Sequence, residues 1–355
     1  MRTYFADQLV GEEPLRHGTA LRLCSLAAEV RAAEPWESLS ESQLIAVQTG
    51  ENSEPDFVSV LGAAGEHRAI FVYPGIRGYA WRQDMLSADP HAAKRLMIAE
   101  NDSLQVSFVP KHELTNLDTD LMKGCRWKDA MGGVELRSVR RGWLPWYVNE
   151  EEGERLCSAL EAFMALVSSG HLDSKDLDLW PEGQPVLPML VRKNGKWSMT
   201  MLNMQLTRVN QPRLWVPQEH LRGLPAGRKS GAICLGDIVL PSSIGGPNER
   251  PAVVHLFVVA DNRSGHAFPP TLRQPGTPLG ASASEAVLTA IRERRQIPEK
   301  VFVPEPLFAE VLGELARVVG FEVRVKRHLP MLDELVRELS RYAEQHGEAD
   351  SQTIH

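Results

Sequence analysis

Apolar residues recur near helical spacing over residues 16–34, where Leu21, Leu23, Leu26, Ala27 and Val30 predict an amphipathic helix that Pro35 stops. The period then shortens to two. The runs 44–47, 57–61 and 69–73 are rich in β-formers and separated by Gly50-Glu51-Asn52 and by Gly62-Ala63-Ala64-Gly65-Glu66, which predicts an antiparallel meander. Strands are expected again at 104–109 and 134–139, with helical material around 87–100 and 117–125. Asn149 is placed to cap a further helix: Glu150, Glu151 and Glu152 sit in its first turn, Leu156, Leu160, Phe163 and Val167 line one face, and Gly170 ends it.

The acidic, Pro- and Gly-bearing stretch 173–188 marks a domain boundary near residue 180, dividing the chain into 1–180 and 181–355. Beyond it, 189–192 and 197–201 flank Asn194-Gly195, a strong hairpin signal, and 214–216 is a further strand candidate. Residues 222–250 are expected to be a long Gly- and Pro-rich loop around one strand at 233–240. The nearly unbroken apolar run 252–260 has the character of a central strand buried on both faces, with 266–272 returning beside it. A helix from Ser282 or Ser284 to Arg295, a strand at 300–303, a helix opening at Pro306, a strand at 321–325 and a final helix through Leu332, Leu335, Val336 and Leu339 complete the order ββ-αβαβα over a core of 250–345. The expected fold class is α+β: an N-terminal antiparallel-sheet α+β domain followed by a C-terminal α/β domain.

Composition supports a folded chain, since 43% hydrophobic and 24% charged residues among 355 allow a sizeable core and exclude wholesale disorder. Charge argues against broad nucleic-acid binding: the net charge is −7, and residues 281–345 hold ten Lys and Arg against eleven Asp and Glu, which leaves no basic footprint. With no run of ~18 apolar residues and no signal-peptide pattern at Met1–Asp7, no membrane association is expected, and the cytoplasm is the expected location. Cys24, Cys125, Cys157 and Cys234 are scattered, with no CxxC pair and no zinc-finger spacing, so they are expected to be reduced thiols.

Two parallel crossovers after a hairpin resemble the ribonuclease-H-like fold. That resemblance covers roughly 250–345. It implies two divalent metals held by carboxylates at the end of the first strand, at the end of the strand after the first helix, and on a late helix. The acids at those places are Asp261, Glu305 and either Asp333 or Glu334. If they converge, Mg²⁺ or Mn²⁺ ions ~3.5–4 Å apart could support an in-line phosphoryl displacement. Each acid also has a structural explanation. Asp261-Asn262-Arg263-Ser264-Gly265 is tight-turn chemistry, Glu305 precedes a helix whose dipole favours it, and Asp333 and Glu334 lie in a first helical turn.

Other signals point to packing. His255 in its apolar run reads as a hydrogen-bonded core residue, and the 141–147 segment with Trp143, Trp146 and Tyr147 as an anchor for the helix that follows. Gly223 to Ser230 reads GLPAGRKS, which lacks the spacing of a phosphate-binding loop. Several segments together resemble a bacterial family of domain-of-unknown-function proteins: Ile45-Ala46-Val47-Gln48, Phe57 to Gly62 and Ala69 to Gly75 in the first half; Arg250-Pro251, Val259 to Gly265, Ile297 to Val303, Val319 to Val323 and Leu329 to Asp333 in the second. This resemblance implies the two-part architecture and transfers no catalytic residues. The sequence therefore favours a non-enzymatic binding or interaction module, with an unidentified protein partner and no cofactor. The alternative is a metal-dependent nuclease or phosphodiesterase using Asp261, Glu305 and Asp333.

Overall fold

A computed structural model of the chain describes residues 2–50, 53–65, 67–88, 93, 97–128, 132–172, 178–181, 184–204, 218–225, 229–246 and 248–347. It divides into two compact units, one of residues 1–140, 144–209 and 245–250, the other of 141–143, 210–244 and 251–355.

In the first unit a short ribbon, β1 (Thr3–Tyr4) with β2 (Leu15–Arg16), precedes helix α1 (His17–Ala33). The alternating runs then become β3 (Ile45–Gln48), β4 (Asp56–Leu61), β5 (Arg68–Tyr73), β6 (Ser103–Val109) and β7 (Gly133–Val139), each antiparallel to the one before it. Helix α2 (Gly75–Ser87) follows β5, α3 (Asn116–Gly124) follows β6, and α4 (Glu150–Ser168) follows β7. Because side chains alternate across a strand, Val58, Val60, Ile70 and Val72 share one core with Leu23, Ala27, Leu156, Leu160 and Phe163 of α1 and α4. Phe57 and Tyr73 face the other way and pack with Trp81 of α2.

The hairpin β8 (Val186–Lys193) and β9 (Lys196–Asn203) turns at Asn194 and Gly195, both at positive φ, as the Asn-Gly signal predicts. It also moves the expected boundary. β8 pairs in parallel with β3, Ala46 opposite Met189 and Gln48 opposite Val191, so the hairpin completes a seven-stranded sheet of order β7-β6-β5-β4-β3-β8-β9. Trp180, at the expected boundary, donates its indole N–H to Leu44 O at 2.8 Å within the same unit. A polar, Pro-bearing stretch here is a connection inside the unit. The strand expected at 214–216 and part of the helical material at 87–100 lie outside the described residues.

The second unit holds α5 (Gln218–Leu221) and a five-stranded mixed sheet of β10 (Ala232–Ile244), β11 (Ala252–Asp261), β12 (Thr271–Leu272), β13 (Lys300–Val303) and β14 (Glu322–Val325). Its order is β12-β11-β10-β13-β14. The first three strands are antiparallel neighbours, β13 is parallel to β10, and β14 is parallel to β13. The expectation that 252–260 forms the central first strand is corrected: β10 is central and β11 is second. Gly236 and Asp237 interrupt the apolar run of β10, and Gly- and Pro-rich flanks surround it, so its sequence understates its position. Helices α6 (Leu279–Arg294), α7 (Pro306–Val311) and α8 (Gly313–Val319) cover the face bearing Ile233, Leu235, Phe257, Val259, Val301 and Val303. The opposite face, with Cys234, Ile238, Val258 and Ala260, packs against Leu329 and against Leu332 of α9 (Pro330–Gly347). Among the described residues, no helix is long and apolar enough to cross a membrane.

Candidate functional site

The polar feature that the fold of the second unit explains least is in the middle of β10. Asp237 lies directly opposite Phe257 of β11 and shares a face with Ile233 and Leu235, both in the core. A carboxylate there is costly unless it is hydrogen-bonded and its charge is balanced. His255, two residues before Phe257 and on the same face, meets it: its Nε2 is 2.9 Å from Asp237 Oδ2, and the two side chains are 2% and 1% exposed. The imidazole stacks on Phe257 with ring centroids 5.0 Å apart.

Arg273 closes the cluster. It follows β12, is 3% exposed, donates its backbone N–H to His255 O at 2.8 Å, and places Nη1 3.4 Å from His255 Nδ1. Its Nε and Nη2 both donate to Thr277 O, at 2.8 and 2.6 Å. A guanidinium only donates, so Nδ1 accepts, and the neutral tautomer that satisfies both contacts carries its proton on Nε2 and donates it to Asp237. The arrangement is a donor–acceptor chain running from Arg273 through His255 to Asp237. His255 is thus a hydrogen-bonded core residue, as its sequence context suggests. Asp237 and Arg273 were not singled out from the sequence. The available signal was an acid inside a run of β-formers, which a solvated loop would explain equally well.

The acids expected at a metal site are placed apart. Asp261, at the end of β11, is opposite Ile233, and Ile233 is level with Val301 on its other side. Glu305 lies four residues beyond Val301, roughly 13 Å further along at ~3.3 Å per extended residue, and two strands away from Asp261.

Asp261 is instead the anchor of its turn. Its Oδ1 accepts from the backbone N–H groups of Arg263 and Ser264 and from Ser264 Oγ at 2.9–3.1 Å, and its Oδ2 is 3.3 Å from Arg294 Nη2. Burial opposes ionisation, but those hydrogen bonds and the Arg294 charge outweigh it and hold the carboxyl below the usual Asp value. Glu305 is the N-cap residue of α7, although its side chain makes no capping bond. Asp333 is in the first turn of α9, with Oδ2 2.9 Å from His328 Nδ1, and its neighbour Glu334 follows just past that turn. Among the described residues, no group of three His, Cys, Asp or Glu side chains is placed to hold a metal ion.

The first unit buries carboxylates of its own, the most enclosed being that of Asp118. Asp118, fully buried in the first turn of α3, accepts from Arg137 Nη1 and Nη2 at 2.8 and 2.7 Å. It also completes a capping box with Thr115. Nearby, the aromatic segment serves packing: Trp146 Nε1 donates to Gln8 O at 2.7 Å, and Tyr147 stacks on Phe5 at 4.6 Å. Residues 226–228 of the GLPAGRKS segment lie outside the described residues.

Comparison with known proteins brings no activity. Residues 21–183 match the model of a domain of unknown function (DUF7309), and residues 221–340 match that of another (DUF6930). No curated protein matches the chain. Among solved structures, a pre-cleavage Mos1 transpososome aligns over 76% of this chain and 82% of its own at 12% identity, with a TM-score of 0.19, too loose a likeness to carry an argument about fold or activity.

Proposed function

We propose that the chain is a non-enzymatic binding or interaction module for a protein partner, and that its second unit has a ribonuclease-H-like fold without a working metal centre. Sheet order supports the fold. Counted from β10, the strands lie third-second-first-fourth-fifth, the first three antiparallel and the last two parallel to the first. With β10 as the first strand, the acid assigned to that strand becomes Asp237 in place of Asp261. Glu305 lies two residues beyond β13, the parallel neighbour of β10.

The observation that carries the proposal is the state of Asp237. A metal-binding carboxylate needs free lone pairs and a route to solvent. Here Oδ2 already accepts from His255, the side chain is 1% exposed, and Arg273 behind the imidazole supplies positive charge. The residues present therefore do not fit a divalent metal pair. The test is to melt the full chain with and without Mg²⁺ or Mn²⁺, and to incubate it with single- and double-stranded DNA and RNA. An unchanged midpoint and intact nucleic acid are expected, because a metal that binds only the folded state raises the midpoint. Metal-dependent cleavage that Asp237→Asn abolishes would overturn the proposal in favour of the nuclease reading.

A further inference from the structure

The seven-stranded sheet of the first unit ends at β9, which among the described residues pairs with β8 and with no strand beyond it. An open strand edge is a template for another chain, and folded proteins blunt it with charges, proline, bulges or shortness. The other sheet ends are blunted. On β7, Ser138 and Trp146 exchange N–H···O bonds of 2.7 and 2.9 Å, while β12 has two residues and β14 four, Glu322 and Arg324 among them. β9 uses none of these devices. It pairs with β8 over all eight residues without a register shift, and from Trp197 to Asn203 it reads WSMTMLN, with no charge and no proline.

The hairpin decides which backbone groups face outward. A two-residue turn at Asn194-Gly195 makes Lys193 and Lys196 a hydrogen-bonded pair, and alternation then gives the inward bonds to Lys196, Ser198, Thr200 and Leu202. Met204 N, donating to Pro185 O at 2.7 Å, keeps the same phase. The N–H and C=O groups of Trp197, Met199 and Met201 therefore point away from β8. Their side chains share one face of the strand: Trp197 and Met199 are half-buried against the main core, while Met201 is 42% exposed.

We propose that β9 pairs antiparallel with β9 of a second copy, joining two seven-stranded sheets across a twofold axis. The strand is chemically complementary to itself. Opposite residues must share a face, and the register centred on Met199 sets Met199 opposite its own copy, Trp197 opposite Met201 and Ser198 opposite Thr200. Thioethers then meet each other and an indole, hydroxyls meet hydroxyls, and the exposed Met201 is covered. With no charge between 197 and 203, the edge offers nothing to hold an acidic or a basic strand. Lys196 falls opposite Leu202, so the two lysines are about 20 Å apart along the joint, beyond a Debye length of ~8 Å. This pairing goes beyond the module reading, which concerns a different protein, and it holds or fails separately from it.

Sedimentation equilibrium of the full chain from low to high micromolar concentration tests the proposal. The weight-average mass should climb from 39.5 kDa towards twice that value. Met199→Pro should hold it at the monomer mass: the Met199 N–H points outward, so proline costs the hairpin no hydrogen bond and removes a donor from the joint. Its thermal midpoint at dilution should stay close to that of wild type. On mild oxidation Met199→Cys should give a disulfide-linked dimer absent from wild type, because hydrogen-bonded residues facing each other have Cα atoms ~5.5 Å apart, within disulfide reach. Met201→Cys should not, since its own copy lies four residues along the joint. A wild-type chain that stays at 39.5 kDa throughout would overturn the proposal and leave the edge to a strand of a different protein. So would a dimer that Met199→Pro leaves intact, or one that Met201→Cys links and Met199→Cys does not. The first readout uses unaltered protein, so a variant that fails to fold cannot produce it.

Discussion

Each unit buries a carboxylate, but for different reasons. Asp118 is at the start of a helix, where an acid closes a capping box and favours the helix dipole, and Arg137 reaches across from β7 with two parallel hydrogen bonds. Its presence follows from local structure, with one ion pair added to tie helix to strand. Asp237 is in the middle of a central strand, where it caps no helix. Its partners come from other segments: His255 from β11, with Arg273, just past β12, behind the imidazole. An acid at a helix start is explained by the helix, whereas an acid mid-strand has to be explained by its tertiary partners.

The largest effect expected from this contrast is at Arg137. In Arg137→Met the fully buried Asp118 loses its main counter-charge, and breaking a buried pair from one side costs about 3–5 kcal/mol, to be read as a shift in the urea midpoint at unchanged slope. A loss below about 1 kcal/mol would mean that the capping box alone satisfies Asp118 and would break the contrast. Asp237→Asn should cost less, about 1–2 kcal/mol. The amide oxygen can still accept from His255 Nε2, so that hydrogen bond is kept without its charge assistance. If this variant costs as much as Arg137→Met, the second unit holds Asp237 mainly by charge, through Arg273, and the neutral-imidazole reading fails.

The two units also differ in how much of them can be read along the chain. The meander of the first was legible because one partner strand follows another and alternate residues face two different cores, as Phe57 and Val58 do. The parallel docking of β8 on β3 was not, since nothing local to Met189 or Leu190 encodes a partner 143 residues earlier in the chain. In the second unit the apolar run of β11 was conspicuous, while β10, the true centre, carried Gly236 and Asp237 and was expected only as one strand, 233–240, set in a Gly- and Pro-rich loop. That error moved the candidate site: counted from β11, the first-strand acid was Asp261, and counted from β10 it is Asp237. The turn chemistry written at Asp261 was legible and present, but its explanation is structural.

The smallest expected effect separates charge from geometry at Asp261, the acid first assigned to chemistry. Asn in its place keeps an oxygen that can accept from Arg263 N, Ser264 N and Ser264 Oγ, and loses only the charge facing Arg294. Because the folded carboxyl is held below its ordinary value, its ionised form contributes stability that is fully present above about pH 4 and is lost as pH falls through the folded value. Asp261→Asn should therefore be less stable than wild type at pH 7, by no more than about 1 kcal/mol given solvent screening of the Arg294 pair, and the difference should shrink below pH 4. Denaturant midpoints measured at both pH values decide the point. A deficit that persists unchanged into acid would show that the amide disturbs the turn itself, so that at Asp261 local backbone geometry sets the requirement for the acid and its charge is incidental.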